Sequence, residues 1–316
     1  MNNKLKLHCS LDSMGLFEQK SVGMEISHGG IAAVSLMQRA ETALLLRATR
    51  LPLPQECLST DLKSPQILLP AEFVRVAREA WDSLHLSSRQ VALSLPDSAG
   101  QLMLTTLDTP WKRRDEAAEL LRWQLGKRLG IDPDQLQLDF QLLERRADGS
   151  TDLLVALIHR AVILQYEDLL LEAGLQPVRI GFHSLHLLGL FERFKTGSGQ
   201  LISLYDNVLC TAAQNETRLT FCRVKPLPSQ TDRLRLELTA SLAASRQTMG
   251  GRTASACYSL APPGDNALSC ALTAINAAPP HQLPLEAVVQ CDASLSLSAL
   301  QSFQLSAALG AAVGSL

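Results

Sequence analysis

The fold is decided by the stretch SVGMEISHGGIAAVSLMQRAETALLLRATRLPLP, which covers residues 21–54. This stretch contains three apolar runs of strand length, SVGMEIS, GIAAVSLM and TALLLRATRLPLP. Only His28 and Gly29 separate the first two runs, and glycine tolerates the positive φ angle that a tight hairpin requires. Pro52 and Pro54 end the third run, because proline cannot donate to a sheet. The stretch therefore predicts an antiparallel meander of three strands.

A second meander follows the small, polar stretch TGSGQ (196–200), which we interpret as a linker. Its apolar runs are LISLY, VLCTAAQ and TRLTFCRVKPLP. The last run ends in Lys-Pro-Leu-Pro, much as the first meander ends in Arg-Leu-Pro-Leu-Pro. Helical and strand patterns alternate after each meander. A meander that is followed by helices and occurs twice predicts an α/β protein with a duplicated, two-lobed architecture.

Composition and charge limit the class of protein. The chain has 316 residues, of which 46% are hydrophobic and 4% aromatic, and its formal net charge is −2. These values favour a well-buried protein and argue against nucleic acid as a partner. The seven cysteines are scattered without a CxxC pair, which indicates thiols in a reducing compartment. No apolar run has the length of a signal peptide or a membrane span, so we expect a cytoplasmic protein that reaches a membrane only through partners.

The ordered motifs of the chain resemble those of the PilM family of type IV pilus assembly proteins, within the actin-like ATPase superfamily. VGMEISHGGIAAVSL (22–36) resembles the opening hairpin of the family, and VALSLPDSAGQLMLTTLDTP (91–110) resembles a later strand pair. The run from 153 to 194, LLVALIHRAVILQYEDLLLEAGLQPVRIGFHSLHLLGLFERF, is the part most similar to the family. LTFCRVKPLP (219–228) and SAALGAAVG (306–314) resemble a strand of its second half and its terminal helix. The cytosolic part of the type II secretion protein GspL is a related family.

The resemblance implies an actin-like, ribonuclease-H-like fold of two lobes. It also implies an α/β insert in the first lobe, as in PilM and the cell-division protein FtsA. We expect a flexible arm at 1–20, a first lobe formed by 21–67 and 147–196, and an inserted subdomain at 68–146. The second lobe, with the C-terminal helix, is expected at 197–316.

Actin-like proteins hold nucleotide phosphates with the backbone amides of glycine-rich hairpins, and an acidic side chain holds the metal ion. By resemblance, the first of these hairpins contains Glu25, Ser27, His28, Gly29 and Gly30. These five residues are the candidate cofactor-binding site for ATP and magnesium. Glu25 stands where the family has aspartate, and Ser27 stands where it has glycine.

The other two nucleotide loops also depart from the family pattern. Ser203 and Tyr205 take the positions of the aspartate and glycine of the second hairpin, and a ring at Tyr205 blocks the approach of a phosphate. Asp206 could replace the acid only after a register shift. Pro262-Pro263-Gly264 stands where the family contacts adenosine, and proline has no amide to donate. We therefore expect no catalytic residues and no bound cofactor, with ATP and magnesium as the alternative.

Several other residues are candidates for chemistry or for contact with partners. His183 and His186 have a spacing compatible with metal binding, but no third ligand accompanies them, so we expect a capping or packing role. Trp81 and Trp123 are expected in the core of the insert. The basic run from Trp111 to Arg114 is expected to be a solvated helix start.

The resemblance implies a cytosolic scaffold, peripheral to the inner membrane, in the assembly platform of a type IV pilus or of a related secretion or DNA-uptake system. PilM-like proteins bind the cytoplasmic N-terminal peptide of a PilN-like single-pass membrane protein in the cleft beside the insert. An assembly ATPase and a second copy of the chain are further expected partners. The alternative is an ATP-binding actin-like protein whose nucleotide state gates partner binding. A sugar kinase of the same fold is a third reading, and it requires a catalytic aspartate and intact phosphate hairpins.

Overall fold

The chain forms the predicted alternation of strands and helices. The structure is a computed structural model that describes residues 20–39, 42–194, 197–215, 218–227, 231–248, 256–275 and 277–315. The predicted N-terminal arm lies outside the described residues, except for Lys20. The strands are β1 Lys20–Ser27, β2 Gly30–Arg39, β3 Thr42–Leu51, β4 Gln90–Leu95, β5 Gly100–Leu107, β6 Leu136–Arg145, β7 Thr151–His159, β8 Gln176–Phe182, β9 Gly199–Tyr205, β10 Val208–Asn215, β11 Arg218–Pro226, β12 Cys257–Leu260, β13 His281–Gln282 and β14 Val289–Cys291. The helices are α1 Pro70–Asp82, α2 Arg114–Leu129, α3 Arg160–Glu172, α4 His183–Phe194, α5 Thr231–Thr248, α6 Ala267–Ala274 and α7 Ala299–Val313.

Two sheets of the same topology form the two lobes. The first lobe is built on the sheet β14-β3-β2-β1-β4-β8, and the second lobe is built on β11-β10-β9-β12-β13. In each sheet a meander of three antiparallel strands is followed by two strands that pair in parallel. The order β3-β2-β1-β4-β8 of the first lobe therefore repeats as β11-β10-β9-β12-β13. The predicted duplication is confirmed.

A two-residue turn closes the first hairpin of each meander, but the backbone conformations of the two turns differ. Ser27 pairs with Gly30 across the turn His28-Gly29, and Tyr205 pairs with Val208 across the turn Asp206-Asn207. Asp206 and Asn207 have φ angles of 46° and 60°, the left-handed conformation of a type I′ turn. In the first hairpin the positive φ angle, 143°, is at Gly30 and not at Gly29, where the sequence predicted it. The two turns occupy equivalent places in the two lobes.

The insert consists of the sheet β5-β7-β6 and helix α2. One face of this sheet packs on α2, through contacts such as Phe140 with Leu121 and Leu125. Its other face, which includes Leu102 and Ile158, belongs to the core that runs into the first lobe. Because both faces are covered, the insert is attached firmly to the first lobe.

The boundaries of the insert differ from the predicted range 68–146. β7 was assigned to the first lobe, but it is the central strand of the insert sheet. α1 and β4 were assigned to the insert, but β4 pairs in parallel with β1 inside the sheet of the first lobe. α1 packs there through side chains such as Phe73 and Trp81. Periodicity indicates that a segment is a strand, but it does not indicate which sheet the strand joins.

The C-terminal part of the chain also departs from the predicted division. β14 pairs in parallel with β3, and α7 packs against β1 and β2, so both elements complete the first lobe instead of the second. The small residues of α7 permit this close approach. A Cβ atom on Gly23 of β1 would lie 2.0 Å from the carbonyl oxygen of Ala308. The predicted linker at 196–200 is shorter than expected, since Gly199 and Gln200 begin β9.

Two of the three tryptophans of the predicted insert, Trp81 and Trp123, lie in different environments. Trp81 is 1% exposed, as expected for a core residue. Trp123 is 63% exposed on α2, with the ammonium group of Lys127 5.5 Å from its ring, so the expectation of a core position is wrong. Within the described part of the chain, no helix combines the length and the apolarity needed to cross a bilayer.

Candidate functional site

The two equivalent hairpin turns face each other between the lobes. Nδ1 of His28, in the turn of the first lobe, lies 3.2 Å from Oδ2 of Asp206, in the turn of the second lobe. Because a carboxylate only accepts, His28 Nδ1 carries the proton in this hydrogen bond. The bond raises the pKa of His28 above its usual value. Burial is the largest influence and disfavours the Asp206 carboxylate, but the hydrogen bonds from His28 and the electrostatic effects of His183 and His28 together lower the pKa of Asp206 below its usual value.

A second contact between the lobes joins Tyr205 to Glu25. The Tyr205 hydroxyl donates to Oε2 of Glu25 at 2.7 Å and lies 3.2 Å from the carbonyl oxygen of Gln304. The Tyr205 ring lies between His183 and Phe303, with ring centroids 5.3 Å and 5.1 Å away. Glu25 is 2% exposed, and burial raises its pKa to about 7 although the hydrogen bond from Tyr205 lowers it.

The five predicted site residues all lie on the first of these turns. The Ser27 hydroxyl donates to the carbonyl oxygen of Gly30 at 3.2 Å. A Cβ atom on Gly29 would lie 2.5 Å from Nη2 of Arg50, so this guanidinium group covers the turn. Gly30 has a φ angle of 143°, and a Cβ atom there would meet the carbonyl oxygen of Leu51 at 2.2 Å. Gly30 is thus required by its φ angle and by the close approach of the Leu51 backbone, whereas the Arg50 side chain could move away from a Cβ atom at position 29.

Two buried histidines form hydrogen bonds to strands of the first lobe. Nε2 of His183 donates to the carbonyl oxygen of Ile26 at 3.1 Å, and Nδ1 of His186 lies 2.8 Å from the Ser94 hydroxyl. Burial lowers the pKa of His183 to about 4 and that of His186 to about 3, so both rings are neutral near pH 7. These contacts agree with the packing role expected from the sequence.

Asp97 was not predicted, and it lies at the edge of the same cluster. Its carboxylate accepts from the backbone N–H of Ser184 at 3.2 Å and from the Ser184 hydroxyl at 2.9 Å, at the start of α4. Burial raises its pKa to about 7, while the bonds from Ser184 lower it. Asp97 follows Pro96 in a short 3-10 helix after β4, and nothing in its local sequence pattern indicates that it would reach α4.

The residues between the lobes do not fit the phosphates and metal ion of a nucleotide. The ring N–H of His28 is bonded to Asp206, and the Glu25 carboxylate, the candidate metal ligand, is bonded to Tyr205. The Tyr205 ring is 94% buried against neighbouring side chains, so it occupies the space beside the first turn. Pro262 and Pro263 follow β12, where the resemblance implies an adenosine contact. We derive no chemistry through a nucleotide.

A groove of about 940 Å³ lies beside the turns, between the insert and the second lobe. β5 is an edge strand of the insert sheet and β11 is an edge strand of the second lobe, so each has one side without a strand partner among the described residues. Apolar side chains line much of the groove, and Asp97, Asp206, Arg128 and Lys225 place charges of both signs on it. The lining includes Gln101, Leu102, Met103 and Leu104 of β5, Cys222 and Val224 of β11, Val208 of β10, and Leu62 of the loop before α1.

Comparisons with solved structures identify the fold. The structure is similar to that of the PilM-PilN type IV pilus biogenesis complex, with a TM-score of 0.73 and 18% identity over 93% of this chain and 97% of that chain. It is also similar to a protein with actin-like ATPase fold and unknown function from Bacteroides thetaiotaomicron, with a TM-score of 0.51 and 12% identity over 92% and 95% of the two chains. The cytoplasmic domain of EpsL, an inner membrane component of the type II secretion system of Vibrio cholerae, has a TM-score of 0.49 and 14% identity over 92% and 94%.

No model of a protein family matches the sequence, and no curated protein is significantly similar to it. At 12–18% identity, the structural similarity shows the fold alone. The predicted actin-like fold is confirmed, and the resemblance to PilM extends over nearly the whole chain.

Proposed function

We propose that this chain is a cytoplasmic scaffold of the inner-membrane platform of a type IV pilus, or of a related secretion or DNA-uptake system. In this proposal it binds the cytoplasmic N-terminal peptide of a PilN-like membrane protein and links that protein to an assembly ATPase. The chain would then reach the inner membrane through its partner. The observation that carries the proposal is the groove between the edge strands β5 and β11.

The groove suits an extended peptide because an edge strand offers main-chain hydrogen bonds to a peptide of any sequence. Its apolar lining, which includes Leu102, Leu104 and Val224, can take up alternate side chains of such a peptide. Likeness to a structure titled as a PilM-PilN complex supports the choice of partner. The loss of a fitted nucleotide site further favours binding of protein over turnover of ATP.

A peptide-binding measurement tests the proposal. The probe is a labelled synthetic peptide that carries the N-terminal residues of a PilN-like membrane protein from the same organism, and the readout is fluorescence anisotropy. Thr60 is exposed and lines the groove, so Thr60→Trp fills the groove from its rim with little effect on the core. We expect the Kd to rise at least tenfold.

The matched control is Ser64→Trp, because Ser64 is exposed in the same loop and does not line the groove. This variant should bind the peptide as the wild type does. Equal affinity of the Thr60→Trp variant and the wild type would place the peptide elsewhere, and no binding to the wild type would refute the proposal. Removal of residues 68–146 is unsuitable as a test, because it would delete β4 from the centre of the first sheet.

A further inference from the structure

We propose that the Asp206 carboxylate is an internal anion that takes the place of a nucleotide phosphate at the β1–β2 turn and holds the two lobes together without a ligand. In an actin-like fold, a nucleotide between the two hairpin turns connects the lobes. Here the connection is made by the chain itself, from residues that the sequence places 178 positions apart.

The proposal rests first on the position of Asp206. Asp206 is the first residue of the β9–β10 turn, and its left-handed backbone conformation, with a φ of 46°, directs its side chain across the gap between the lobes. The carboxylate accepts from the ring of His28, and the backbone N–H of His28 also interacts favourably with it. A backbone amide of a hairpin turn together with a cationic group is the kind of donor set that binds phosphate oxygens. Asp206 therefore satisfies donors that a phosphate would otherwise satisfy.

The proposal rests second on the residues around Asp206. Its side chain is 12% exposed, and Nδ1 of His183 lies 4.0 Å from Oδ2. His183 Nε2 donates to a carbonyl oxygen, so the neutral ring has no proton on Nδ1 and offers no bond to the carboxylate. His28 is thus the ring that forms a hydrogen bond with Asp206, and this bond links the two turns. The pKa of His28 is raised and that of Asp206 is lowered, which agrees with an ionised pair.

The proposal rests third on the hydrogen bond between Tyr205 and Glu25. Tyr205 directly precedes Asp206 and is the last residue of β9, and its hydroxyl bonds to Glu25 of β1. Tyr205 thereby fills the space next to the turn, and Glu25 is used as a hydrogen-bond acceptor. The two adjacent contacts, His28–Asp206 and Glu25–Tyr205, connect the two lobes, and neither requires a bound molecule.

Amide hydrogen exchange of the full chain tests this inference, with the turn at residues 27–30 as the reporter. Asp206→Gly removes the carboxylate, and glycine accepts the φ angle at this position. We expect exchange in the turn to become at least tenfold faster, and 50 mM inorganic phosphate to restore protection in the variant while leaving the wild type unchanged. Wild-type protein should give no heat with ATP and magnesium in a calorimetric titration.

The matched control is Asn207→Gly, which changes the neighbouring residue of the same turn, also at positive φ, and keeps Asp206. It should exchange as the wild type does. Asp206→Asn, which keeps the size of the side chain, covers the case that the glycine variant fails to fold, and it should also speed exchange in the turn. Three results would overturn the inference: equal exchange in the position 206 variants and the control, no effect of phosphate on the glycine variant, or binding of ATP to the wild type.

Discussion

At the scale of single residues, Glu25 is a buried carboxyl group whose pKa is raised to about 7. It is buried beside the Tyr205 hydroxyl, and its surroundings favour the protonated form near neutral pH. A carboxyl group that held a magnesium ion would have to be ionised. The acidic residue of the hairpin is instead an acceptor that connects the first lobe to Tyr205 of the second lobe through a hydrogen bond.

The first prediction concerns Glu25→Gln. Glutamine resembles the protonated acid and still accepts a bond from Tyr205. Because the pKa of Glu25 is raised from 4.5 to about 7, its contribution to stability is full below pH 4.5 and is lost as the pH rises through 7. The variant should therefore gain free energy of unfolding relative to the wild type between pH 5 and pH 8, by up to roughly 3 kcal/mol.

Urea denaturation of both proteins across this pH range measures that difference. Glu56→Gln, at an exposed residue, is the control, and its difference from the wild type should not change with pH. A constant difference for Glu25→Gln as well would mean that Glu25 is ionised in the folded protein.

Sequence reasoning found part of this site. It identified the hairpin from Glu25 to Gly30 and the bulk of Tyr205, since both depend on the local sequence. It missed that Asp206 reaches His28 and that Asp97 reaches Ser184, because these contacts join residues 178 and 87 positions apart. Such pairs depend on how two sheets are oriented, which periodicity in one chain does not encode.

At the scale of elements, helix α7 packs closely against its neighbours because glycines lie at the contacts. A Cβ atom on Gly310 of α7 would lie 2.4 Å from the carbonyl oxygen of His186, and one on Gly23 would lie 2.0 Å from that of Ala308. Both neighbours are backbone atoms, which cannot move aside as the end of a side chain can. The Ala/Gly-rich composition of the last helix, read from the sequence as a helix only, is thus explained by its close packing.

The second prediction follows from these contacts. Gly23→Ala and Gly310→Ala should each lower the free energy of unfolding by about 2–3 kcal/mol or more, because the added methyl group separates α7 from its neighbours. Gly189→Ala, in the middle of α4 with no heavy atom within 4 Å of the new Cβ, should instead raise it by about 0.5–1 kcal/mol. Thermal unfolding followed by circular dichroism measures all three. Equal effects at the three sites would contradict the packing described here.

The sequence was sufficient to predict the strands and the pairing of the meanders, but not the sheet to which every strand belongs. The meanders could be predicted because each strand pairs with the next strand along the chain. β4, β7 and β14 were placed in the wrong unit because each pairs with a strand that is distant in sequence or belongs to an unexpected sheet. Local patterns identify a strand, whereas its partner is selected by the packing of the complete sheet.

At the scale of the whole molecule, the first lobe is made from three separate parts of the chain, and the last of them contains β14 and α7. The third prediction is that a chain ending at residue 284 loses the first lobe, since it lacks β14 and α7 and exposes the apolar side chains that these elements cover, such as Val34 and Leu36. We expect loss of cooperative thermal unfolding and fast amide exchange in β1 and β2.

A circular permutant provides the control for this truncation. Residues 285–315, moved ahead of Lys20 with a flexible linker, restore the missing elements to the first lobe and should restore cooperative unfolding. If the truncated chain unfolds cooperatively with β1 and β2 still protected, then β14 and α7 are not needed to complete the lobe.

This arrangement has a consequence during synthesis on the ribosome. β14 and α7 leave the exit tunnel after the whole of the second lobe. Until then, one face of the strands β1 and β2 is exposed, and the edge of β3 is unpaired. Contacts this distant in the chain form slowly, and unpaired edges and bare apolar faces promote aggregation in the interval. The nascent protein is therefore expected to depend on chaperones until its final helix is in place.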